Sequence, residues 1–173
     1  SISGIILHIW NLFHHSFYCQ DNEISWIDWS LLKKNKELFE FFKFMIAYRK
    51  KHPVIRKKLD NAVCGMEGMH AHDVNADRME VSQNAKTLAV SFAGYDRKKG
   101  KDDLVYVAVN AYWEEVRITL PNLANHGAWY LSVDTYGDEN GKYCYEEGEE
   151  IRIDHEYVIK PRSIVVFTGR DVF

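Results

Sequence analysis

Beyond residue 78 the hydrophobic pattern repeats every second residue, and no helical periodicity interrupts it up to the C-terminus. A period of two sends alternate side chains to opposite faces of an extended strand, whereas a helix repeats every 3.6 residues. Stretches rich in β-branched and aromatic residues fit the strand pattern: Met79 to Ser82, Thr87 to Ala93, Leu104 to Ala111, Val116 to Leu120, Trp129 to Asp134, Glu150 to Ile153, Tyr157 to Ile159 and Ser163 to Thr168. Turn signals lie between them, namely "DRKKGKDD", Pro121-Asn122, "ANHG" and "GDENG" with its Asn140-Gly141 pair. Pro161 sits just before the last strand, where its missing amide costs little. Parallel strands need long crossovers, so short strands joined by turns alone point to a mainly β fold, an antiparallel β-sandwich.

Upstream the pattern is helical. Leu38, Phe41, Phe42, Met45 and Ile46 recur at three- and four-residue spacing, while Lys36, Glu37, Glu40, Lys43 and Lys50 fall largely on other faces. The spacing predicts a helix over Lys36 to Lys51, with Asn35 capping its first amides. Arg49, Lys50, Lys51 and His52 suit the negative end of the helix dipole, and Pro53 disfavours helix at His52. Residues Asp60 to Asp77, "DNAVCGMEGMHAHDVNAD", hold no sustained period and read as an irregular connector. The expected division is therefore 1–59, 60–77 and 78–173, with the sandwich in the last span.

Composition removes several function classes. Apolar residues make up 46% of the chain and aromatics 14%, enough for a packed core. A formal charge of -3 provides no basic field for nucleic acid or anionic lipid, so neither is an expected partner. Cys19, Cys64 and Cys144 are odd in number and show no CxxC spacing, which suits a reducing compartment and a cytoplasmic location. The opening "SISGIILHIWNLF" lacks a basic start, is interrupted by His8 and Asn11, and is shorter than the ~20 residues of a spanning helix. No membrane anchor or secretion signal is expected from it. The chain also begins without Met, which fits a piece of something longer.

Chemistry-bearing motifs are sparse. Glycoside hydrolysis needs two carboxyls about 5–10 Å apart, one of them kept protonated. Glu114-Glu115, Glu146-Glu147 and Glu149-Glu150 lie beside turns and read as solvated edge charges, so no catalytic pair is nominated. "HAHD" at 70–73 and the His14-His15 pair offer imidazoles, but one local cluster does not supply the three or four ligands of a zinc site. No metal and no cofactor is expected, and neither a GxSxG elbow, a P-loop nor GxGxxG occurs.

One stretch is denser. "YCQDNEISWIDW", from Tyr18 to Trp29, mixes aromatic faces with amides and acids, the usual blend of a sugar pocket, although tryptophan in such a place more often packs. Together with "LFEFFKFMIAYRKKHPVIR" it resembles the C-terminal edge of the catalytic barrel in bacterial glycogen debranching enzymes, isoamylases and pullulanase-type proteins of the alpha-amylase superfamily. In those proteins a "NNxYCQDNxxxWxDW" segment follows the eighth barrel strand, and the final barrel helix ends in an "LRxxHPxLR"-like run, seen here as "YRKKHPVIR". "LVYVAVNAYWEEVRITLP" is similar to the "NAYWxPxxFxLP" of the same family's C-terminal sandwich, and "VIKPRSIVVF" resembles its last strand. The start "SISGIILHIWNLFHHSF" departs from the family, which carries an asparagine run and an upstream Gly-Asp-Glu.

The resemblance implies an alpha-amylase-type C-terminal β-sandwich preceded by one or two helices left from a truncated (β/α)8 barrel. It implies that the nucleophile Asp, acid Glu and transition-state Asp lie on strands preceding this chain, so the fragment is expected to be non-catalytic, stabilising the barrel and assisting glucan binding. Tyr18, Asp21, Asn22, Trp26 and Asp28 would sit after the eighth strand, at the barrel mouth where α-glucan binds. The stripe of Phe41, Phe42, Met45 and Ile46, lacking its barrel neighbour, is expected to pack on the sandwich or to form a homodimer contact. The alternative is an autonomous carbohydrate-binding module displaying Tyr112, Trp113, Trp129 or Tyr130, with at least one of Tyr112 and Trp113 in the core because neighbours on a strand face opposite ways.

Overall fold

The computed structural model describes residues 29, 31–76, 86–124 and 127–170. Two helices lead in: α1 (Leu31–Lys34) and α2 (Lys36–Lys51), followed by one 3-10 turn over Pro53–Ile55. The strands are β1 (Met69–His72), β2 (Thr87–Asp96), β3 (Lys101–Asn110), β4 (Val116–Thr119), β5 (Ala128–Asp134), β6 (Ile151–Ile153), β7 (Glu156–Ile159) and β8 (Ser163–Arg170). The fold is mainly β and antiparallel: a six-stranded sheet ordered β1-β2-β3-β8-β5-β6, and a two-stranded ribbon of β4 and β7.

Alternation along the strands builds two cores on the two faces of the large sheet. Leu104, Tyr106 and Ala108 of β3 join Val165 and Phe167 of β8, Trp129 and Leu131 of β5, and the ribbon's Ile118 and Ile159. The odd-numbered partners on β3, Val105 and Val107, turn the other way with Val166 and Val133 and receive Tyr48 and Val54 from the helical segment. Strands covered on both faces read as near-continuous apolar runs, which explains "LVYVAV" at the centre of β3. A β-bulge in β5 between Leu131 and Val133 shifts the phase, so Leu131 feeds the ribbon-side core and Val133 the helix-side core.

Helix α2 has its expected bounds, but Asn35 makes no side-chain cap bond. α1 ends one residue earlier, so the Asn35 N–H donates to the Leu31 carbonyl and its carbonyl accepts from Phe39, which leaves Asn35 a joint between helices rather than a free start. The apolar stripe splits. Phe41 and Met45, with Phe44, pack on the sheet, while Phe39, Phe42 and Ile46 stay exposed. Phe42 and Ile46 sit about 100° round the helix from Phe41 and Met45 respectively, which turns them off the face that meets the sheet.

The connector also differs from expectation. Met69–His72 within it pairs in register with Phe92 to Ala89 and extends the sheet as an edge strand. Buried His72 keeps its place there through Nε2 on the Ser91 hydroxyl at 2.8 Å and Nδ1 on the Ala76 carbonyl at 3.1 Å. The candidate strand Met79 to Ser82 lies outside the described residues. At the other end, "DRKKGKDD" tightens to a turn in which the Asp96 carbonyl accepts from Lys99 and Gly100, with Gly100 at φ 66.

Close packing is strictest where β8 passes Leu104 and Trp129. A Cβ on Gly169 would come within 2.8 Å of the Leu104 Cβ and 3.1 Å of the Trp129 ring. Phe167 is fully buried in the same layer. Phe167→Ala is expected to lower unfolding free energy by about 3–5 kcal/mol, against a change within ~0.5 kcal/mol for Val63→Ala on the surface. Urea titration followed by circular dichroism measures both.

Candidate functional site

The helical segment is fastened to the sheet by a buried polar seam. His52, at the end of α2, places Nδ1 2.5 Å from Asp103 Oδ1, and Asp103 Oδ2 accepts the Val54 N–H at 3.0 Å. Both side chains are buried, and His52 Nε2 has no partner among the described residues. One turn earlier, the Tyr48 hydroxyl meets Thr168 Oγ1 at 2.8 Å, and Thr168 meets Ser132 Oγ at the same distance. Burial disfavours the Tyr48 phenolate and pushes its pKa up to about 12. Lys99 closes the helix end, donating its ammonium to the Lys51 carbonyl at 2.5 Å. Apart from His52 Nε2, these groups are spent on each other, which is the arrangement of a structural joint.

Among the described residues, carboxylates suited to acid–base chemistry do not assemble. Glu115, Glu147 and Glu149 are each held below the usual carboxylate range by hydrogen bonds and attraction from Lys160, Lys51 and Lys142 respectively. A general acid needs the opposite shift. Glu150 departs from the solvated-edge reading: its side chain is only 4% exposed, tucked under the Arg170 guanidinium with which it pairs. Among the described residues no group of three or more His, Cys, Asp and Glu is placed to hold a metal ion. His70 binds Glu67 instead, 3.1 Å away.

The aromatic candidates separate clearly. Trp129 is 2% exposed and donates its indole N–H to the Pro121 carbonyl at 2.7 Å, so it belongs to the core and offers no platform. Tyr130 has the Arg170 guanidinium 4.9 Å above its ring. Tyr112 and Trp113 lie in the turn after β3 ends, so strand alternation does not govern them and neither enters the core. Trp113 is exposed, Tyr112 half-buried, and their ring centres are 4.0 Å apart. A groove of about 590 Å³ runs between α2 and residues 141–146, with Phe41, Phe44 and Tyr143 in its walls. Tyr18, Asp21, Asn22, Trp26 and Asp28 lie outside the described residues, as does His14-His15.

Residues 57–168 match the family model described as isoamylase, C-terminal. The chain belongs to the isoamylase C-terminal family. Helix α2 precedes the matched span, and the span takes in β1 through nearly all of β8. Among curated relatives, a "Glycogen operon protein GlgX homolog" of Mycobacterium tuberculosis is 44% identical over 45 residues, which covers 26% of this chain and 6% of that protein. An "Isoamylase" of Pseudomonas amyloderamosa is 25% identical over 122 residues, 70% of this chain and 16% of its own length. The chain thus spans a small part of the relatives it matches. Family membership agrees with the debranching-enzyme resemblance drawn from "YRKKHPVIR" and "NAYW". No helix among the described residues is long and apolar enough to cross a membrane.

The seam makes a pH-dependent prediction. The folded Tyr48 keeps its proton up to about 12, whereas in the unfolded chain it is lost near the ordinary 10.0. The Tyr48 contribution to stability is therefore intact below pH 10 and falls as pH rises from 10 to 12, by roughly 1.4 kcal/mol per unit of separation. Tyr48→Phe should flatten this decline without removing it, since burial also raises the pKa of Tyr106 and Tyr157. Urea midpoints at pH 8, 10 and 11 check the slope.

Proposed function

We propose that this chain is the non-catalytic C-terminal part of a glycoside hydrolase that removes α-1,6 branches from glycogen or starch. In that enzyme it steadies the catalytic barrel and assists glucan binding. The observation that carries the reading is a helix with two apolar faces. Phe41, Phe44 and Met45 are taken up by the isoamylase C-terminal domain, while Phe39, Phe42 and Ile46 face out with Trp29 and Leu32 nearby in sequence. A row of large apolar side chains on the outer side of a surface helix is expected where a second body is to be covered.

On this reading residues 1–59 are the end of the barrel, 60–77 the link that also lends an edge strand, and 78–173 the sandwich. Tyr18, Asp21, Asn22, Trp26 and Asp28 belong to the barrel mouth, where α-glucan binds. The nucleophile Asp and acid Glu of a retaining mechanism come from barrel strands outside this chain. Without the barrel, the outer face of α2 pairs with a second copy to give a homodimer. A cytoplasmic location is supported by the odd, unclustered cysteines; burial pushes the Cys144 thiol up to about 11, so it is a packing residue rather than a reactive one.

Purified chain is expected to release no reducing sugar from pullulan or glycogen, and to raise the thermal midpoint of a debranching barrel produced without its own C-terminal domain. Turnover by the chain alone, or a barrel that neither binds it nor gains stability, would overturn the proposal. Phe42→Glu combined with Ile46→Lys should abolish both the stabilisation and, in light scattering of the isolated chain, any concentration-dependent doubling of mass. Circular dichroism of the double variant should stay unchanged, because both positions are already exposed.

A further inference from the structure

We propose that Trp113, backed by Tyr112, is a stacking platform for the hexopyranose rings of a neutral glucan chain. The inference rests on the α-glucan reading above and gives it a second contact point.

Trp113 is 66% exposed, although burying an aromatic ring is among the larger gains open to a folding chain. Its exposure is fixed by structure. Asn110, buried at the end of β3, accepts the Tyr112 N–H on Oδ1 at 2.9 Å and shares its amide protons among the carbonyls of Glu114, Ile159 and Lys160 at 2.8, 3.3 and 3.1 Å. The Arg162 N–H donates to the Tyr112 carbonyl at 3.0 Å, and Arg162 holds the left-handed conformation at φ 50 that residues other than glycine rarely adopt. Two turns are thereby locked together under the aromatic pair. The rings meet at 35° with centres 4.0 Å apart, and the Lys86 ammonium sits 3.7 Å from the centre of the Tyr112 ring. One face of the indole is backed and the rest is presented to solvent, so little side-chain freedom remains to be lost on binding.

The surroundings select the ligand. Glu114 follows Trp113 directly in sequence, and Glu115 pairs with Lys160 at 2.9 Å, so charges of both signs accompany the segment that carries the ring. Their charges largely offset, which disfavours a strongly anionic or cationic partner. An exposed flat apolar face with hydrogen-bonding residues next to it in the chain matches a pyranose, which offers C–H bonds to the ring and hydroxyls at its rim.

The test titrates maltoheptaose into the full chain by calorimetry, beside electrophoresis through gels containing glycogen. Wild type and Trp113→Phe are expected to bind in the millimolar range, with Trp113→Ala weaker by about tenfold or more, the loss of one stacking contact. Thermal midpoints of these variants should agree, since the side chain is exposed. The proposal is overturned if wild type fails to bind any glucan, or if Trp113→Ala binds as well as wild type while Trp26→Ala does not. Binding of cellohexaose but not maltoheptaose, lost in Trp113→Ala, would sustain the platform and sink the α-glucan reading. A chain that stabilises the barrel yet binds no oligosaccharide would sink the platform alone.

Discussion

Strand β3 is hydrogen-bonded to β2 along its whole length and to β8 from Leu104 to Asn110. It also buries side chains on both faces, and the rest of the molecule is arranged to make that possible. A strand with Tyr106 on one side and Val105 on the other cannot leave either in water, so two covering layers are required. The β4–β7 ribbon supplies one and helix α2 the other. Neither cover is large, and each depends on the sheet for its own burial, so the three layers stand or fall together.

Apolar burial alone would let the helix slide across a flat sheet, because contact area has no direction. The His52–Asp103 and Tyr48–Thr168–Ser132 bonds do have direction, and they fix where the helix ends and how it is rotated. Such a seam costs desolvation and contributes little net stability, yet a misplaced helix would leave several buried polar groups without partners. Position is specified by that penalty. It also fixes which apolar residues of α2 face outward, and so links a buried hydrogen-bonded pair to the outer surface on which the proposed function depends.

Much of this was legible in the sequence. The bounds of α2 follow from its spacing and from Pro53, and the strands from Thr87 onward follow from alternation and turn residues, because these are local signals. What stayed hidden is non-local. β1 contains His72, whose polar atoms are satisfied by Ser91 and the Ala76 carbonyl, so a buried position does not look apolar. Asp103 lies 51 residues from His52, and nothing in "KDDL" distinguishes an anchor from a solvated turn charge. Alternation misassigned Tyr112 and Trp113 because β3 stops at Asn110, where a side chain takes over the hydrogen bonding that a continuing strand would have provided. The family likeness was readable from motifs, whereas the barrel-mouth residues it points to lie outside the described part of the chain.

The bulge at Ser132 has one further effect. By shifting phase within a single strand, β5 is rooted in both hydrophobic layers, and its end is tied by Asp134 to Tyr157 of the ribbon and by a bridge from Val133 to Cys144. The helix reaches that strand through Tyr48, which packs with Val133 and is linked by Thr168 to Ser132. The two hydrophobic layers are therefore joined through a single strand as well as across the sheet that separates them.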